Sequence, residues 1–342
     1  MWRHREPDPT FVRPGMFKAV RRSFALALGA TLGVIHSANA SGGRIAYVAR
    51  VNDVSHLFLM DVDENGHGSN PRRITQDSEA ENYPSWSPDG DFLIYQRDLD
   101  GAAIYIIRAD GTEQRRLSPT PGFDVTASFS PDGSQIVYAR LYGPPEPPNP
   151  PQDDLRVMNV DGSGDHAILQ NVRFAVEPRW SIDDKIVFMS LMQGPGLDIY
   201  VMNADGSALS QITTNGTSGH NNGDPVWNAD GTRISFGSDR EGGGRVNVFL
   251  MNPVGSEVQQ ITHFDPPYEA GDTNWSSDNR KIAFEWDVGG DGQSNPDAYA
   301  EVWTMNPDGS GAVSTGIPCA GVGCAPRWQP EADEIFRSGF DS

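Results

Sequence analysis

The chain reads as an all-β protein, a six-bladed β-propeller closed by pairing of its C-terminal strand with the first blade. Three observations predict this. An alternating apolar run recurs six times, a second run ending in a Gly-bearing turn follows each copy, and an aromatic residue precedes every copy but the first.

The first run appears as "RIAYVA" (44–49), "FLIYQR" (92–97), "QIVYAR" (135–140), "KIVFMS" (185–190), "RISFGS" (233–238) and "KIAFEW" (281–286). Period-2 alternation with β-branched and aromatic residues is the signature of a strand. The second run is "LFLMDVDENG", "IYIIRADG", "LRVMNVDG", "IYVMNADG", "VFLMNPVG" and "VWTMNPDG", and its usual Asp-Gly or Asn-Gly ending reads as a hairpin turn. A short third run follows as "RRIT", "RRLS", "HAIL", "SQIT" and "QQIT", with a degenerate last copy, "AVST". The aromatics are Trp86, Phe129, Trp180, Trp227, Trp275 and Trp328, and each ends the strand before a turn such as "SPDG". Pro fixes φ at the second turn position, and Gly relieves strain at the fourth. Four strands per 40–50 residues make a propeller blade. Blade 1 has no aromatic strand ahead of it, and "APRWQP" has no blade after it. The expectation is that "APRWQP" supplies the missing inner strand, which would leave no exposed sheet edge.

Composition sets the class. Gly 37 and Pro 26 among 342 residues favour turns over long helices. The formal charge of -20 and the lack of a basic patch argue against nucleic acid as a partner. The segment "MFKAVRRSFALALGATLGVIHSANA" has a basic start, an apolar run from Phe24 to Ile35, and Ala38-Asn39-Ala40. This is the layout of an export signal, with cleavage after Ala40 and Met16 as an alternative start. Its apolar run is too short to span a membrane, which takes about 20 residues. The expected organisation is a signal peptide over 1–40, the propeller over 41–330 and a short tail over 331–342. The location is periplasmic or secreted and the protein monomeric. In that oxidising setting Cys319 and Cys324, the only cysteines, are expected to form a disulfide.

The repeat resembles that of TolB-type β-propellers, a tryptophan with Ser-Pro-Asp-Gly, an apolar strand and "IYVMNxDG". "WSPDG" (86–90) and "IYVMNADG" (199–206) carry the likeness, and "WSIDDK" (180–185), "WNADG" (227–231) and "WSSDN" (275–279) depart from it while keeping an Asp in the turn. The resemblance implies the fold over about 44–330. TolB carries an N-terminal α/β domain before its propeller, and this protein is expected to lack it.

Fold alone does not assign function. No G-x-S-x-G nucleophile elbow occurs. Oligogalacturonate lyases are single propellers with related repeats and a His-rich metal site. Here His56, His67, His166, His220 and His263 fall at dissimilar blade positions. The reading is therefore a binding module for a protein or peptide, with a polysaccharide lyase or hydrolase acting in the channel as the alternative. The candidate site is five carboxylates, Glu81, Asp124, Glu177, Asp224 and Asp272, three to five residues before successive aromatics. Gathered at one mouth of the channel, they would attract a basic partner. Two acidic loops are candidates for calcium, Asp61, Asp63 and Asn65 in "DVDENGHG" and Asp287, Asp291, Asn295 and Asp297 in "DVGGDGQSNPD", with a solvated loop as the alternative for each. The segment "YGPPEPPNPPQDD" (142–154) reads as stiff polyproline II, a rigid solvent loop or a docking segment.

Overall fold

A computed structural model describes residues 42–99, 101–119, 122–142, 152–242, 245–264, 268–288, 300–319 and 323–331. The expected signal peptide, the Pro-rich segment at 144–151 and the tail from 332 onward lie outside them. Six four-stranded antiparallel sheets form the blades. No helix among the described residues is long and apolar enough to cross a membrane.

Closure follows the expected route. The strand Arg327–Trp328 pairs with Arg44–Val51, with Ile45 opposite Trp328 and Ala46 opposite Arg327. Backbone bonds from Gln329 N to Arg44 O (2.7 Å) and from Val48 N to Cys324 O (2.7 Å) extend the pairing on both sides. Cys319 and Cys324 are disulfide-bonded, and Arg50 N donates to Cys319 O at 3.1 Å. The bridge thus sits against the edge of blade 1. The degenerate "AVST" run is in fact part of a full outer strand, Val313–Pro318. Its Thr315 hydroxyl donates to Val302 O at 2.8 Å, so the strand holds despite its weak pattern.

Packing between blades is repetitive because the sequence is. Tyr47, Tyr95, Tyr138, Phe188, Phe236 and Phe284 occupy the same place in the six copies of the first run, and all are fully buried. Burying an aromatic of this size contributes roughly 2–3 kcal/mol. The turns are equally regular. In "WSPDG", Ser87 N donates to Phe92 O and Phe92 N to the Ser87 hydroxyl, both at 2.9 Å. Gly90 then takes φ 72°, which a β-carbon would oppose. The departing copies keep the same geometry by other means. Asn228 accepts from Arg233 N in place of a serine, while Asp184 (φ 54°) and Asn279 (φ 58°) stand where Gly would.

Candidate binding site in the central channel

The inner strands that line the channel are Glu81–Trp86, Phe123–Phe129, Val176–Trp180, Asn222–Trp227, Tyr268–Trp275 and Arg327–Trp328. Each carries one non-glycine residue in the left-handed region, always three positions before the aromatic. These are Tyr83 (φ 52°), Thr126 (40°), Glu177 (55°), Asp224 (51°), Asp272 (45°) and Ala325 (42°). The five longer strands show a register shift at this point, a β-bulge. Such a backbone costs on the order of 1 kcal/mol or more per residue, so six copies mark a built feature of the fold.

The bulge corrects the five-carboxylate grouping. In an unbroken strand, residues one, three and five before the aromatic share a face. One extra residue reverses the face of everything that precedes it. Glu81 and Asp124, five before their aromatics, are therefore turned toward blade packing. Glu81 is fully buried, with Oε2 3.2 Å from Nδ1 of His56 in blade 1. Burial pushes its carboxyl up to about 8. Asp124 accepts two bonds from Arg140 of its own blade, at 2.6 and 3.0 Å. Glu177, Asp224 and Asp272 sit on the bulge itself, and these three converge.

Their meeting point is the axis. Tyr83 of blade 2 feels the charges of Glu177, Asp224, Asp272 and Glu285, which come from three other blades. Asp224 is hydrogen-bonded to Glu177. Burial first, then the Glu177 and Asp272 charges, raise Asp224 well above the usual carboxylate range, and burial raises Glu177 as well. The bond between the two carboxyls raises Asp224 and lowers Glu177, so of the pair Asp224 binds its proton the more tightly. Two arginines one position before their aromatics complete the group. Arg327 Nη1 donates to Asp272 Oδ1 at 2.9 Å, and Arg179 Nη2 lies 3.8 Å from Glu177 Oε2. Burial and the nearby Arg327 charge lower the Arg179 pKa. For Arg327 burial is the largest single influence and lowers it, but the bond to Asp272 and the charges of Asp272, Glu177 and Asp224 together raise it. Three carboxyls and two guanidiniums thus meet in one buried group. Beside them Glu285, raised to about 8 by burial, accepts from Gly323 N (3.2 Å) and Cys324 N (2.6 Å). Arg327, Tyr83 and Glu285 were not among the sequence candidates. Counting positions back from each aromatic would have found Arg327 and Tyr83, while nothing in the repeat points to Glu285.

The first calcium candidate does not gather its ligands. Asp61 lies 3.3 Å from Arg44 Nε and accepts from Asn70 Nδ2 at 3.0 Å. Asp63 instead closes its own turn, accepting from Asn65 N and His67 N. In the second candidate, Asp287 lies on the strand Ile282–Val288, whereas Asp291, Asn295 and Asp297 fall outside the described residues. Among the described residues no three His, Cys, Asp or Glu side chains are placed to hold a metal ion.

At the mouth where the inner strands end lies a cavity of about 230 Å³, lined by Ser85, Asn274, Ser277, Arg327, Pro330, Ala229 and the indoles of Trp86, Trp227, Trp275 and Trp328. Three of these indoles also tie blades together. Trp86 Nε1 donates to Arg327 O at 3.0 Å, Trp227 Nε1 to Arg179 O at 3.2 Å and Trp275 Nε1 to the Ser235 hydroxyl at 3.0 Å.

Residues 151–295 match the family described as the TolB beta propeller domain. The Tol-Pal system protein TolB of Francisella tularensis subsp. holarctica (strain OSU18) is 25% identical over 228 residues, which is 64% of this chain and 50% of that protein. The chain thus spans about half the length of the curated relatives it matches. Among solved structures, TolB from Acinetobacter baumannii superposes with a TM-score of 0.66 at 20% identity, over 84% of this chain and 67% of that one. The putative TolB from Agrobacterium tumefaciens gives 0.62 at 19%, over 85% and 99%. At these identities the structural likeness speaks to fold. The protein is a six-bladed β-propeller, and its residues 151–295 match the TolB-type propeller domain.

Proposed function

We propose that this propeller is exported and binds a protein or peptide partner, with a basic side chain of the partner reaching Glu177, Asp224 and Asp272 from the mouth where the inner strands begin. The observation that carries the reading is the convergence of three carboxyls from blades 4, 5 and 6 on the axis, with burial raising Glu177 and Asp224. A cation arriving there displaces the protons that burial favours instead of meeting an already satisfied site. Export rests on the three-part N-terminal segment. The Tol-Pal system name carried by the relatives is in keeping with a partner-binding role.

Tetralysine is a suitable probe, titrated calorimetrically into the mature protein. Its affinity should rise with pH, because the proton on Asp224 competes with it, and fall with salt. Changing Glu177 to Gln with Asp224 and Asp272 to Asn should weaken binding at least tenfold and flatten the salt slope. Asp61→Asn with Asp63→Asn is the control and should leave binding intact. An unchanged affinity and salt slope in the folded triple variant would remove the channel carboxylates from the site.

A further inference from the structure

A buried polar contact joins blades 1 and 2. His56 stands on the strand Val54–Val62 of blade 1, and Glu81 opens the inner strand Glu81–Trp86 of blade 2. His56 is 3% exposed and Glu81 fully buried, with His56 Nδ1 3.2 Å from Glu81 Oε2. Arg73 Nη2 lies at the same distance, 3.2 Å, from the same Nδ1. A guanidinium has only hydrogens to give, so toward Arg73 this nitrogen is an acceptor and the ring hydrogen sits on Nε2. Glu81 Oε2 then bonds to Nδ1 only by donating, as a carboxylic acid. Without that proton a carboxylate oxygen would face a ring lone pair, and Glu81 Oε1 has no hydrogen-bond partner among the described residues to compensate. Leaving a buried acceptor unmet costs more than a hydrogen bond contributes. The seam between blades 4 and 5 fills the same two places differently. Asp198 precedes its apolar run as His56 does, and Asn222 stands five residues before Trp227 as Glu81 stands five before Trp86. There Asn222 Nδ2 donates to Asp198 Oδ1 at 3.1 Å, and an amide has no such proton to lose.

We propose that His56 and Glu81 form a clasp between blades 1 and 2 that is closed by a single proton on Glu81 and opens when that proton leaves. Glu81 begins a channel-lining strand whose Tyr83, two residues on, stands among the axial carboxyls, so opening the clasp loosens the channel wall at blade 2. The groups that face the pair are Arg73 from blade 1, Thr75 and Asp77 from the link between the blades, and Tyr95 and Arg97 from blade 2. Burial dominates at Glu81 and raises it to about 8, with the Asp77 charge in the same sense and the Thr75 hydroxyl and the Arg97 charge against it. Arg97 is itself paired with Asp77 at 3.1 Å and with Glu79. Burial and then the Arg73 charge lower His56, with Asp77 opposing, so the ring is neutral at pH 7. Glu81 binds its proton more tightly folded than unfolded, so the clasp is closed at neutral pH and is lost as pH rises through about 8. The inference stands apart from the basic-partner reading, which needs neither His56 nor Glu81.

Nitrogen-15 NMR of the full mature protein reads the His56 ring directly. At pH 7 its Nδ1 should be unprotonated and its Nε2 should carry the hydrogen, and an Nδ1–H at that pH would overturn the proposal. Hydrogen exchange followed by mass spectrometry, corrected for the intrinsic pH dependence of exchange, reads the seam. From pH 7 to pH 9, segments 54–62 and 81–86 should lose protection about tenfold relative to segments 198–203 and 222–227, because one pH unit above 8 shifts the proton equilibrium by that factor. Equal change at the two seams, or none at either, would overturn it. Glu81→Gln sets a permanent amide hydrogen opposite Nδ1, as Asn222 does opposite Asp198, and should abolish the loss of protection at pH 9. A loss that persists in the folded variant would sink the proposal too. The NMR reading and the comparison of seams use the unaltered protein and decide the matter even if the variant does not fold.

Discussion

Asp124 and Asp224 occupy similar stretches of sequence, "GFDVTASF" and "NNGDPVW", yet they end in opposite circumstances. Asp124, five residues before its aromatic, is clamped by both ends of the Arg140 fork. Asp224, three before, lies on the bulge at the axis, where burial raises it well above the usual carboxylate range. The lesson is that the address of a side chain in this ring is set by its distance from the bulge and not by its distance from a neighbour of the same charge. An Asp on one side of the bulge is a structural anion. On the bulge it belongs to a titratable cluster.

The comparison can be broken most violently by opening the ring. Removing residues 318–342 takes away the closing strand, and with it Arg327 from Asp272 and the Gly323 and Cys324 amides from Glu285. Cooperative unfolding should be lost altogether, as followed by circular dichroism in urea. A truncated protein that melts like the full mature one would show that the channel cluster does not depend on closure.

Asp124→Ala should come next. It leaves the partly buried Arg140 guanidinium with Asp165, at 3.7 Å, as its remaining carboxylate, a change that costs about 2–3 kcal/mol. Urea denaturation gives the number, and a loss below about 1 kcal/mol would deny the distinction between the two aspartates.

A pH effect follows from the buried carboxyls. Glu81 and Glu285 are both raised to about 8 in the folded protein, against 4.5 when unfolded. Each therefore binds its proton more tightly in the native state. Their stabilisation is fully present below pH 4.5 and is lost as pH rises toward 8. Burial and the charge of Arg73 lower the His56 pKa, which has the opposite sign and acts only below its ordinary value of 6.5. Between pH 6.5 and 8 the unfolding free energy should thus fall, by about 3 kcal/mol for the two groups together. Glu81→Gln should flatten that decline, whereas a stability that climbs over the same interval would contradict the placement of both groups.

Reducing the Cys319–Cys324 bridge should cost at most about 2 kcal/mol, because the loop it closes is short. Mass spectrometry of the purified native protein without reduction should show the loss of two hydrogens. The smallest effect is kept for the partner in the comparison. Asp224→Asn replaces a carboxyl that burial favours in its neutral form by a neutral amide that can donate to Glu177, so stability should change by less than about 1 kcal/mol. The large loss at Asp124 beside the small one at Asp224 is the sharpest form of the contrast.

Six blades, their strand order, the turns and the closing strand could all be read from the sequence. Each is a local pattern repeated six times, and period-2 alternation with turn residues at constant offsets reports local geometry faithfully. The interblade aromatics, one per copy from Tyr47 to Phe284, follow from the same repetition. The channel could not be read in this way. A bulge has no residue signature here, since Tyr, Thr, Glu, Asp, Asp and Ala all occupy it, and one extra residue reverses the face of whatever precedes it. The grouping of charge was hidden for a second reason. Arg327 stands more than fifty residues from Asp272 and nearly a hundred and fifty from Arg179, and only closure of the ring brings the three together on the axis. The bond between the Glu177 and Asp224 carboxyls, and the raised proton affinity of both, arise from desolvation and convergence, which belong to tertiary structure because no single blade encloses the space in which they occur.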